Sequence, residues 1–186
     1  RAGDVPVVHG SFVGYVDSDN ITKNRDWANR WKVLLPMAGD GHGREVSYVV
    51  GEPIALAPGS ICTLTYMVAG MFDTAEETEN YAHYLASKFV RFLVLQRKVT
   101  QHVTPDRFRF VPMLDMTRRW TDEDLYEHFG LTAEERDHIE STITPRTVNL
   151  SLDSPIPASH LPGGAKYRPP GSRASTETGD PPEDDT

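Results

Sequence analysis

Between Asp73 and Val99 the chain carries one continuous helical pattern, and no other stretch constrains the fold as much. Asp73 or Thr74 can cap its start, with Glu76 or Glu77 spaced for a capping box. Tyr81, Leu85, Phe89, Phe92 and Leu93 fall within an arc of roughly 120° on a helical wheel. Such a stripe must be buried. At a 1.5 Å rise per residue, a helix over residues 74–99 would be about 38 Å long, enough to span a domain.

Strand patterns upstream supply a surface for it. Pro6 to Val16 holds Val7, Val8, Phe12, Val13 and Tyr15 around Gly10 and Gly14. Trp31 to Leu35 and Val46 to Val50 are β-branched or aromatic, and Gly39-Asp40-Gly41-His42-Gly43 joins them as a turn. Ser60 to Ala69 reads as one further strand. Downstream, Arg107 to Pro112 reads as a strand carrying Phe108, Phe110 and Val111. Two short helices follow. One begins at the cap Thr121 and stops at Gly130. The other begins at Thr132, whose Thr-x-x-Glu box closes with Glu135, and stops before Pro145. Short N-terminal strands, one long helix, a strand and two short helices predict a mixed α+β fold, within the α/β class.

The pattern ends near residue 150. From Ser151 to Thr186 seven prolines, four glycines and six acids leave only Leu152, Ile156, Leu161 and Tyr167 as sizeable apolar residues. That stretch cannot bury enough to offset chain entropy and is expected to be a disordered acidic tail. Residues 1–150 are expected to form one domain, since 186 residues leave no room for two large ones. The chain starts at Arg1 rather than Met, which suggests a piece of something longer.

Several chemistries lack their residues. Cys62 is the single cysteine, so a disulfide framework and a multi-cysteine zinc site are excluded, and a reducing, cytoplasmic setting is expected. Within an apolar strand, Cys62 itself is expected to be buried and inert. The seven histidines are scattered with no i, i+4 pair, so no metal site is expected. A Gly-Lys phosphate loop, a Gly-x-Ser-x-Gly elbow and an Asn/Asp-Pro-Pro-aromatic tetrapeptide are absent, and no lysine follows an acid in the Asp/Glu-x-Lys spacing of many nucleases. The longest apolar run, near Phe89 to Leu95, contains Arg91 and is far too short to span a membrane. No catalytic residue can be named.

Charge is segregated along the chain. Residues 83–111 hold six bases (Lys88, Arg91, Arg97, Lys98, Arg107, Arg109) against Asp106 alone, inside a chain of formal charge −8. Residues 121–150 hold eight acids against two bases. Arg91 and Lys98, seven apart, share a helix face away from the apolar stripe. The run Arg97 to Thr104 is dense in groups that bond phosphates and base edges. The same run also fits a solvated helix end, with Arg and Lys complementing the helix dipole.

A resemblance bears on that choice. It rests on Tyr84-Leu85-x-Ser-Lys-Phe89-x-Arg91-Phe-Leu, Lys98-x-Thr-Gln101-His102 and Phe108-x-Phe-Val-Pro112-x-x-Asp115. Trp120-Thr-Asp122-x-x-Leu-Tyr126-x-x-Phe-Gly130-Leu-Thr132-x-Glu-Glu135-x-x-x-Ile-Glu140 extends it. Weaker blocks lie at Trp31-Lys-Val33, Gly51-Glu-Pro53 and Pro58 to Thr63. Across residues 22–143 the chain resembles the C-terminal, target-recognition-like region of type II restriction–modification enzymes with an N6-adenine DNA methyltransferase domain. The resemblance implies a DNA sequence-recognition module for double-stranded DNA, serving a methyltransferase or nuclease catalytic domain, fused or separate. S-adenosylmethionine and magnesium would belong to that upstream domain, with no cofactor held here. Lys88, Arg91, Lys98 and Arg107 would then neutralise phosphates. Gln101, His102, Arg97 and Thr100 would reach base edges. Phe89, Phe92, Leu85, Phe108 and Phe110 would be core, and the acidic segment 121–143 would face away from DNA. Two other readings stay open: a restriction endonuclease acting itself, for which Asp106 and Asp115 flank the expected strand, and a protein-docking domain.

Overall fold

A hairpin opens the chain. Val5–His9 (β1) and Phe12–Val16 (β2) pair antiparallel across a turn at Gly10, whose φ of +51° suits glycine. Ile61–Cys62 (β5) adds to β1 in parallel, with Val7 opposite Ile61 and Val8 opposite Cys62. These strands form a small sheet ordered β2-β1-β5. The second sheet centres on Trp31–Pro36 (β3), flanked antiparallel by Ile54–Leu56 (β4) and Tyr66–Phe72 (β6). Asn149–Ser151 (β7) joins β4 in parallel, giving the order β6-β3-β4-β7. The computed structural model describes residues 3–37, 49–97, 104–157 and 159. The glycine turn at 39–43 and the start of the Val46–Val50 run lie outside them. Val49 and Val50 are buried.

Alternation along the central strands separates two cores. Val33, Leu35 and Ala55 pack toward the helices, with Tyr81, Ala82, Tyr84 and Leu85. Leu34, Ile54 and Leu56 pack toward the small sheet, with Val8. The molecule is thus layered, with the small sheet on one side of the larger sheet and the helices on the other. Gly70 lets the helices approach, because a Cβ there would stand 2.6 Å from the Tyr81 ring.

The long helix is two helices. Ala75–Ala86 (α1) ends at Ser87 and Lys88–Leu95 (α2) begins directly after it. Ser87 has φ −59° and ψ 150°; its Oγ accepts from Val90 N at 3.2 Å and donates to the Tyr84 carbonyl at 2.7 Å. A serine hydroxyl in mid-pattern competes for backbone groups and here restarts the helix. The apolar stripe survives the break: Tyr81, Leu85 and Phe89 are buried, with Phe92 and Leu93 packed against the same core.

Two expected strands also differ. Ser60 to Ala69 is β5 and β6 separated by a turn at Thr63–Thr65, which leaves Leu64 95% exposed. Residues 105–110 form a 3-10 helix, Pro105–Phe110, instead of a strand. Pro105 sits at its first turn, where φ is preset and the missing N–H costs nothing. Phe108 packs on the core as expected, whereas Phe110 is 55% exposed and not part of it.

The last two helices match their local signals. Thr121 and Asp124 form a capping box on Asp122–His128 (α3), and Thr132 and Glu135 form one on Ala133–Thr142 (α4). Gly130, at φ +66°, separates them. The boundary expected at residue 150 falls inside the packed body. β7 includes Ser151, the Ala57 N–H bonds the Ser154 carbonyl at 3.1 Å, and Ile156 is 2% exposed. A few apolar residues suffice when a waiting strand edge takes the backbone.

Candidate nucleic-acid interface

The sequence places its candidate contacts at the end of α2 and in the segment after it. Lys98, Thr100, Gln101 and His102 lie outside the described residues. On either side of them stand Arg97 and the 3-10 helix Pro105–Phe110. Arg97 Nη2 meets Asp106 Oδ2 at 3.1 Å, and Arg109 Nη1 meets Asp106 Oδ1 at 3.4 Å. The Arg97 guanidinium also lies over the Phe110 ring, 5.0 Å from its centroid. One carboxylate therefore holds two guanidinium groups, and an aromatic face supports one of them. Asp106 offsets a single charge, so the cluster stays net positive. It is open to solvent, since the Arg109 side chain is 69% exposed.

Three expected phosphate contacts are largely enclosed by the fold. Lys88 Nζ pairs with Glu140 of α4, and the Lys88 side chain is only 17% exposed. Glu140 also accepts from Tyr126 Oη at 2.8 Å. The Lys88 contact holds the Glu140 carboxyl below the usual carboxylate range, while burial, followed by the bond to Glu140, pushes the Tyr126 phenol up. Arg91 is fully buried. Its Nε donates to the carbonyls of Ala86 and Ser87, at 2.9 and 3.2 Å, so it serves the end of α1. Arg107 is 6% exposed. The sequence places Arg91 on a helix face away from the apolar stripe. Yet α2 is flanked by α1, α3, α4 and the 3-10 helix.

The acidic segment is correspondingly not turned away from the basic one. The Asp122 carboxylate accepts from Lys88 N at 3.1 Å and Phe89 N at 2.9 Å, capping α2 from another helix. Charges segregated along the chain meet across the fold, as Lys88–Glu140 does. Arg118 and Asp124 pair at 3.1 Å, and Arg136 and Glu123 at 3.7 Å. Sequence reasoning missed Ser87 and Asp122. The signal for Ser87 was a small hydroxyl amid large apolar residues, whereas Asp122 stood only as one position of the Trp120 block, with no sign of a partner on α2.

The residues that carry the resemblance contact one another. Tyr84 Oη donates to the Pro112 carbonyl at 2.6 Å, and Trp120 Nε1 donates to the Asp115 carbonyl at 2.8 Å. Phe89 stacks on Phe129 with ring centroids 5.0 Å apart and meets Tyr126 edge-on. Much of that pattern therefore builds the scaffold. The two carboxylates weighed for cleavage have structural partners: Asp106 holds its arginines, and Asp115 accepts from Thr117 N at 2.9 Å. That backbone bond holds the Asp115 carboxyl below its ordinary range. Burial raises the Cys62 thiol, which favours the unreactive protonated form.

Among the described residues, no group of three or more His, Cys, Asp or Glu side chains is placed to hold a metal ion. Nor, among them, is any helix long and apolar enough to cross a membrane. No family model, no curated protein and no solved structure matches the chain.

Proposed function

We propose that this chain is a DNA sequence-recognition module of a restriction–modification system. It would bind double-stranded DNA beside a separate or fused adenine methyltransferase or nuclease catalytic domain in the cytoplasm, with no catalytic centre of its own. The observation that carries the reading is the solvent-facing cluster of Arg97 and Arg109 on Asp106 and Phe110, immediately flanking residues 98–103. The resemblance supports it, because its basic block ends in that segment. In this reading the enclosed bases are not contacts. Arg97, Lys98 and Arg109 neutralise phosphates, while Thr100, Gln101 and His102 read base edges. Lys88, Arg91 and Arg107 build the module. S-adenosylmethionine and magnesium would be held by the catalytic partner.

Anisotropy titrations of the whole chain with labelled duplexes over a range of salt test this. Binding should weaken by a decade or more between about 50 and 200 mM salt. Lys98→Ala should weaken every duplex alike and reduce the salt slope by about 1, whereas Gln101→Ala should alter sequence preference more than affinity. Absence of duplex binding at the lowest salt would overturn the reading and favour protein docking.

A further inference from the structure

The opposite side of the larger sheet carries a feature the DNA reading does not use. Lys32 lies on β3 two residues before Leu34, so both project toward the small sheet. Its register partner is Leu56, itself fully buried. A position between two sheets calls for an apolar residue. Lys32 is nevertheless 2% exposed. Its Nζ donates to the carbonyls of Ala28 at 3.3 Å and Ser60 at 3.1 Å. These are neutral dipoles, and among the described residues no hydrogen-bond acceptor of opposite charge joins them. Among the described residues, no carboxylate perturbs it. An ammonium so placed is costly unless an anion joins it.

A cavity of about 480 Å³ lies beside it. It exists because the small sheet stops short. β5 has two residues, and the turn that follows carries Leu64 outward, which leaves open space beside Lys32 and Val68. Trp27, Ile61, Leu64 and Val68 give the cavity apolar walls, and Ser60 and Lys32 add polar groups. Ser60 is 1% exposed, and its Oγ has no hydrogen-bond partner among the described atoms. The volume lies within the range of small-molecule sites, which combine mostly apolar walls with a few convergent polar groups.

We propose that this cavity binds a small aromatic carboxylate, with its ring against Trp27, Ile61 and Val68 and its carboxylate on Lys32 Nζ and Ser60 Oγ. The buried ammonium of Lys32 and the buried hydroxyl of Ser60 match the charge and donor count of a monoanion, while the second lysine at the cavity, Lys23, is exposed to solvent. A neutral ring, such as an extrahelical base, would leave the buried charge unanswered. The groups facing Lys32 from neighbouring elements are Cys62, Tyr66 and Lys23. Burial pulls the Lys32 amine down to about 8, so it is mostly charged at neutral pH. Burial raises Cys62 and Tyr66, so neither becomes an anion there.

The test is an NMR titration of the full chain with 2-naphthoate and, as the neutral counterpart, 2-naphthylmethanol. Naphthoate should shift the Trp27 indole and β5–β6 amide signals saturably and bind about ten-fold or more tighter than the alcohol. Lys32→Met should erase that preference while alcohol binding persists, and Lys23→Gln should preserve it. In the unmutated chain the preference should fade as pH rises past about 8, which keeps the test decisive if Lys32→Met does not fold. Val68→Trp should fill the cavity and abolish both ligands. Equal affinity of the two ligands, shifts elsewhere on the molecule, or no binding at millimolar concentration would overturn the proposal.

Discussion

On its helical side the larger sheet buries Val33, Leu35 and Ala55 beneath Tyr81, Tyr84, Leu85, Phe89, Leu125 and Tyr126. On its other side, Val8, Leu34, Ile54 and Leu56 make up the buried cluster, and an ammonium and a cavity adjoin them. The two sides share strands, so the contrast comes from what covers them. Helices bring long side chains into the sheet and fill volume. A short three-stranded sheet brings backbone and stops early. The helical side also has its polar groups met from within, by the caps of Thr74, Ser87, Thr121 and Thr132 and by Asp122 reaching across to α2. On the other side, Lys32 has only carbonyls as partners among the described residues. A densely satisfied side suits a scaffold, and an unfilled, uncompensated one suits a ligand.

That contrast can be broken most sharply through the cores. Phe89→Ala should cost about 3–5 kcal/mol in chemical denaturation, whereas Val8→Ala should cost about 1.5–3 kcal/mol. A reversed order would show that the small sheet is the principal core. Next in size is a pH effect on the sheet side. Unfolded Lys32 keeps its proton up to its ordinary value of 10.5, while the folded state releases it near 8. Between those values the unfolded chain binds more protons, so this group's contribution to stability rises with pH and is lost as pH falls through 8. The unmutated chain should therefore gain stability relative to Lys32→Met from pH 8 to 10.5. Cys62 works the other way, but it is present in both proteins and largely cancels. A flat difference across that window would show that Lys32 is solvated.

On the helical side, Asp122→Ala should cost about 1–2 kcal/mol, because Lys88 N and Phe89 N lose their acceptor. Thr132→Ala should cost about 1 kcal/mol through the lost capping box. Leu64→Ser should fall within about 0.5 kcal/mol, since the side chain meets solvent. A larger loss would place Leu64 in a contact that exposure does not reveal.

These effects follow how far apart the interacting residues lie in the chain. Thr121, Thr132 and Gly130 carry their instructions within three or four residues, and α3 and α4 are where those instructions put them. The hairpin at Gly10 is equally local. The helix break was less legible, since the competition between Ser87 and the apolar stripe is settled by Asp122, more than thirty residues away. The alternation of Phe108 and Phe110 suggests a strand, but the segment packs on α2, and Pro105 favours a tight helical turn. Residues 151–157 looked too polar to fold until the edge of β4 supplied hydrogen bonds. At the candidate interface, the sequence marked a basic block but could not separate Arg97 and Arg109, on the surface, from Arg91 and Arg107, which the fold encloses.

By itself, then, the sequence determined the mixed class, the apolar stripe, the helix caps and the basic character of the segment around residue 98. Those depend on periodicity, turn chemistry and composition, which act over a few residues. The tertiary structure alone decided which charges are spent and which are offered. It turned Glu140 onto Lys88, enclosed Arg91 among helices and left Lys32 facing a cavity. Burial and ion pairing depend on groups brought together from distant parts of the chain, and no local pattern encodes that meeting.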